Sequence, residues 1–107
     1  MRIENNKKTW FVVGKSAEDN WKIILESDKD YYWVHASNVA SAHVIIEMDK
    51  PLDEEIKYAC QLCKAQTKKI KDSLIEYAVT QVRNVKLGTK SGQVTFKDRT
   101  KISLYIV

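Results

Sequence analysis

The side chains that titrate nearest neutrality in this chain of 107 residues are two histidines, and both lie in one stretch. It reads Asp30, Tyr31, Tyr32, Trp33, Val34, His35, then seven residues, then His43, Val44, Ile45, Ile46. An imidazole at the edge of an apolar run is unusual, because burial disfavours a titratable group that lacks a partner. Such rings can serve as general bases, as metal ligands, or as neutral donors and acceptors toward phosphate, ribose or base. Hydrolysis would require an acid or nucleophile beside them. Ser41 and Asp30 are the near candidates, and no known triad spacing joins them.

Cys60 and Cys63 would complete a Cys2His2 zinc set with the histidines. Both fall mid-helix on an apolar stripe, where they read as small core residues, and a redox C-x-x-C would instead sit at a helix N-terminus. Gly14, Lys15 and Ser16 imitate the end of a phosphate loop, but the earlier glycine would fall at position 9, which is Thr9. What remains is a strand-to-helix turn whose open N–H groups and lysine can hold one phosphate. The chain therefore reads as non-enzymatic, with no metal, cofactor or small-molecule substrate.

The elements that position these groups follow from the hydrophobic pattern. Residues 1 to 8 are polar and expected to fray, and Thr9 to Val13 reads as a first strand. Ser16 is a candidate N-cap with Asp19 three positions on, opening a short helix that carries Trp21, Ile24 and Leu25 and ends near Ser27. Trp33 and His35, two apart, share a face of the aromatic strand, with Tyr31 in line. His43 to Met48 reads as a buried strand, since Val44, Ile45 and Ile46 leave no polar alternation. Lys50 and Pro51 break the chain before a long helix whose first turn holds Asp53, Glu54 and Glu55. Leu52, Ile56, Ala59, Cys60, Cys63 and Ile70 form its core-facing stripe. Leu74 to Val82 predicts a long strand, residues 83 to 92 a basic loop, and Gln93 to Lys97 and Ile102 to Val107 a closing hairpin turned by Lys97 to Lys101. The sum is a single α+β domain, a mostly antiparallel sheet of five to six strands with one long and one short helix against it.

Charge is unevenly shared. Residues 1 to 63 hold eight Lys or Arg against eleven Asp or Glu, whereas residues 64 to 107 hold ten against three. The C-terminal part is thus the candidate polyanion surface, and its cations are expected to gather beside the paired imidazoles. Fifteen lysines against three arginines favour diffuse phosphate contact over bidentate base reading. No run approaches the length of a membrane span, and two cysteines make no secreted disulfide framework. A soluble, cytoplasmic protein with no membrane partner is the expectation.

The pattern around the histidines (acidic residue, aromatic or aliphatic residue, Trp, Val, His, then Ser41, Ala42, His43, Val44) resembles the signature of the NFACT-R domain. The likeness continues in Gly14, Lys15 to Asn20, in Ile75, Glu76, Tyr77, and in Gly92, Gln93, Val94, Thr95, Phe96. Ser41, Ala42, His43 and the Gly92, Gln93 pair look closer to the compact eukaryotic members than to the bacterial multidomain ones. Trp21 and Ala78 depart from the usual acidic residue and Thr. The resemblance implies a stand-alone module that binds structured RNA, tRNA or rRNA, with a link to ribosome-associated quality control or translation. The tail-adding chemistry of the multidomain relatives is not carried over. On this reading Lys15, Asn20, Trp33, His35, Ser41 and His43 shape the nucleic-acid site, and Lys64, Lys68, Arg83, Lys86 and Lys90 neutralise phosphates. DNA is an alternative ligand. A second alternative is an adaptor that docks on a ribosome-associated protein through Trp21, Tyr31 and Tyr32. A third is a small RNA-modifying or hydrolytic enzyme using both histidines.

Overall fold

In the computed structural model, residues 1–67 and 74–107 are described. The expected Lys68 contact and the end of the apolar stripe at Ile70 lie outside these residues. Among the described residues, eight strands and two α-helices follow in the order β1 (Arg2–Glu4), β2 (Trp10–Val13), α1 (Ala17–Glu26), β3 (Tyr32–Ala36), β4 (Val44–Ile46), α2 (Asp53–Ala65), β5 (Glu76–Gln81), β6 (Val85–Leu87), β7 (Val94–Phe96) and β8 (Ser103–Ile106). Six of the strands form one antiparallel sheet in the order β1, β2, β4, β3, β5, β8, and β6 with β7 makes a separate hairpin. This is the α+β class the sequence predicts.

The all-apolar β4 is fully buried between β2 and β3, which is why it lacks polar alternation. β3 is central too, pairing Trp33 with Ile45 on one side and with Thr80 on the other. Each face of the sheet has its own cover. Phe11, Val13, Val34, Val44, Ile46 and Tyr77 meet Ile56, Ala59, Cys60 and Cys63 of α2 on one face. Trp33 and Ile45 meet Ile23 and Ile24 of α1 and Leu87, Val94 and Phe96 of the hairpin on the other.

Several expectations are corrected. The N-terminus does not fray at its start: β1 pairs with β2 through Arg2 and Val12, Ile3 and Phe11, and Glu4 and Trp10. The basic segment 83 to 92 is not all loop, because β6 inside it pairs with β7. Consequently β7 and β8 are not a hairpin, and β8 lies along β5 at the sheet edge. In the short helix the inward residues are Asn20, Ile23 and Ile24, while Leu25 faces solvent. In the long helix Leu52 precedes the first turn and is exposed.

Candidate functional site

Where β2 meets α1, three chain segments are tied together by backbone chemistry. Gly14 N–H donates to the His43 carbonyl at 2.9 Å, and the Asn20 Oδ1 accepts from the His43 N–H at 3.2 Å. A Cβ on Gly14 would stand 1.8 Å from Asn20 Oδ1, so only glycine lets the amide reach the strand. Ser16 caps α1 by accepting from the Asp19 N–H at 3.1 Å. The Asp19 carboxylate accepts in turn from the Lys15 N–H at 2.8 Å, a capping box shifted back by one residue.

Behind this junction the imidazoles pack on Trp33. The Trp33 indole stacks on His35 with ring centroids 5.6 Å apart, and His35 meets His43 edge-on at 4.5 Å. Trp33 Nε1–H donates to His43 Nδ1 at 3.1 Å, which makes His43 an acceptor at Nδ1 and leaves Nε2 as its N–H position. Burial lowers the His43 pKa to about 3, helped by the neighbouring His35 and opposed by the Gly92 backbone as a hydrogen-bond partner. Burial likewise takes His35 down to about 4, opposed by the Ala36 backbone. Both rings are therefore neutral at physiological pH.

These residues border a cleft of about 430 Å³. Lys15 and Asn20 stand on one side, His35, Ser41 and His43 on another, and Gly92 of the β6–β7 turn and Thr67 at the end of α2 close it. Gly92 has a φ of +83°, and a Cβ there would press on Ala17 at 3.0 Å, so the turn can approach α1 only as glycine. Thr67 accepts from the Ala42 N–H at 3.0 Å and donates to the Cys63 carbonyl at 2.7 Å, fixing the loop before β4 to the end of the helix. Gly92 and Thr67, with Ala40, Gln66 and Ser91 beside them, are cleft residues that sequence reasoning missed. The Gly92, Gln93 pair was visible, but nothing local showed that it faces α1.

The structure thus brings Lys15, Asn20, His35, Ser41 and His43 to one hollow. Trp33 is not among the residues that line it: at 1% exposure it lies beneath, stacked on His35 and hydrogen-bonded to His43. The Ser41 hydroxyl accepts from the Ala36 N–H and donates to the Ala42 carbonyl, each at 3.1 Å, and Asp30 pairs with Arg83. The two groups a hydrolase would have used are thereby occupied elsewhere.

The cations do not all gather beside the imidazoles. Lys64 Nζ donates to the Val107 carbonyl at 3.0 Å. Arg83 lines another hollow with Tyr32, Lys97 and Lys101. Lys86 is exposed on β6, and Lys90 is exposed in the turn that carries Ser91 and Gly92 into the cleft wall. Trp21, the adaptor candidate, donates from Nε1 to the Gln93 carbonyl at 2.8 Å and so fastens α1 to the hairpin.

Cys60 and Cys63 pack under α2 on the face of the sheet opposite the imidazoles. A shared zinc site is ruled out by this separation. Among the described residues no group of three or more His, Cys, Asp or Glu could hold a metal ion. Burial raises the Cys60 thiol to about 12 and the Cys63 thiol well above its usual value. Among the described residues no helix is long and apolar enough to cross a membrane.

The family described as NFACT protein RNA binding domain matches residues 2–98 of this chain. Among solved structures, the C-terminal part of the fibronectin/fibrinogen-binding protein from Streptococcus suis aligns with a TM-score of 0.86 and 24% identity. That alignment covers 99% of this chain and 43% of the other, and at this identity it shows a shared fold. No curated protein sequence matches.

Proposed function

This chain belongs to the NFACT protein RNA binding domain family, and from that premise we propose that its RNA is structured, tRNA or rRNA, held largely through the backbone. The observation that carries the reading is the cleft. It joins an exposed lysine, the start of a helix and a nearly buried amide to two uncharged imidazoles. Lysine and helix N-terminus suit a phosphate, and neutral rings suit ribose or base edges without repelling cations of the protein. Lys86 and Lys90 extend the contact along the hairpin, and Arg83 with Lys97 and Lys101 offers a separate cationic area. The setting proposed is the cytoplasm, in translation and its ribosome-associated quality control, on the strength of kinship. Catalysis has no support from Ser41 or Asp30, whose polar atoms are committed as described.

The test is RNA affinity as a function of salt. Each neutralised phosphate contributes close to one to the slope of log affinity against log salt, so the double variant Lys86→Glu, Lys90→Glu should lower that slope by about two. A flat salt response, or a double variant indistinguishable from the parent, removes the proposal.

A further inference from the structure

We infer that the site takes an unpaired nucleotide, its phosphate in the cleft at the start of α1 and its base in an apolar groove on the other side of His35. This rests on the RNA-binding reading and goes beyond it by naming single-stranded over duplex nucleic acid.

His35 joins the two hollows, because it lines both. On the cleft side, Ser16 and Ala17 present N–H groups at the N-terminus of α1 that helix geometry leaves open. Lys15 stands exposed beside them. A second, independent feature points the same way. Asn20 is only 8% exposed yet lines the cleft, and the His43 N–H fixes which end of its amide turns inward. Its Nδ2 is therefore the end left for the hollow, and it has no partner among the described residues. This amide nitrogen is open to the cleft rather than sealed, so it has room for an acceptor there. Phosphate oxygens supply it.

On the other side of His35 the chemistry changes. The groove holds about 360 Å³ between Phe96 and Val94 of the hairpin and Ile102 and Leu104 by β8, with Ala78 and Trp33 at its base. Arg99 stands at its margin, with its guanidinium 5.8 Å from the centre of the Phe96 ring. Glu76 also lines it and would repel a phosphate, which assigns the backbone to the cleft and the base to the groove. Apolar walls with an aromatic ring and a planar cation are what a nucleobase face stacks on. A base inside a duplex stays in its stack and cannot enter while its phosphate sits in the cleft. A strand end, loop or bulge can.

Fluorescence anisotropy with the whole chain tests this, using a labelled mixed-sequence RNA strand and the same strand annealed to its complement. The single strand should bind about 10-fold more tightly, the scale of one base stacked on the protein. Leu104 is 61% exposed and can be changed without opening the core. Leu104→Glu should remove most of that preference, while Leu104→Trp, which enlarges the stacking surface, should increase it. Equal affinity for the two RNA forms, or a Leu104→Glu protein that keeps the full preference, overturns the inference and leaves RNA binding standing. Failure of both RNA forms to bind even at low salt overturns the inference together with the proposed function.

Discussion

Acidification from pH 8 to pH 5 should cost the folded chain about 4 kcal/mol, through His35 and His43 together. Burial holds these rings down to about 4 and about 3, whereas in the unfolded chain they titrate near the ordinary value of 6.5. Between those values the unfolded state binds protons that the folded state refuses. Stability is therefore complete above about pH 6.5 and falls as the pH drops toward the folded values. At pH 5 the unfolded state gains about 1.5 pH units of protonation free energy per ring, or about 2 kcal/mol each. For a domain whose whole stability is of order 5 to 15 kcal/mol, this is a large share. Urea unfolding at intervals of pH is the assay, and the midpoint should fall by roughly 2 M over the range. His35→Gln should remove about half of that dependence, because one titrating ring is gone. A midpoint level from pH 8 to pH 5, or native imidazole NMR titrations near 6.5, would show that burial does not hold these rings neutral.

Gly14→Ala forces a methyl group against the Asn20 carbonyl oxygen and leaves the His43 N–H without its acceptor. A loss of about 2 to 3 kcal/mol in thermal or urea unfolding is expected, with weaker RNA binding. Trp33→Phe removes the donor to His43 Nδ1 and leaves a void where the buried indole stood, and should cost about 2 to 4 kcal/mol in the same measurement. Tyr77 is fully buried and its hydroxyl has no partner among the described residues, so Tyr77→Phe should leave stability unchanged or raise it by about 1 kcal/mol, read as a higher Tm. Both thiols, buried and raised in pKa, should resist a disulfide reagent at pH 8 until urea is added, and a chelator should leave Tm where it was.

Much of the scaffold could be read from local signals. Ser16 and Asp19 announce the start of α1, Pro51 and three consecutive acids announce α2, and the unbroken Val44, Ile45, Ile46 run declares a strand covered on both faces. β1 escaped notice because three residues with Ile3 as the sole apolar member carry no periodicity, and its order comes from pairing with β2. β6 was concealed because Val85 and Leu87 flank a lysine inside a basic, glycine-bounded segment. The choice between pairing β7 with β6 or with β8 depends on β5 recruiting β8, a contact distant in sequence that no turn residue encodes. At the site, the shared face of Trp33 and His35 followed from strand alternation. The Trp33 to His43 hydrogen bond did not, since it crosses from β3 to the residue before β4, and neither did the approach of Gly92 to Ala17. Clustering of cations was expected from composition, and composition is blind to which lysines find partners.

The central sheet also works as a partition. Thiols and the α2 helix occupy one compartment, and the imidazoles, amide and aromatic groove occupy the other. Away from the C-terminal end of α2, where Thr67 closes the cleft, substitutions in the α2 layer can thus be selected for durability while the recognition surface stays constant, and that surface can diverge toward new ligands without rewriting the layer beneath it. A protein engineer could treat the two sides as separately adjustable parts.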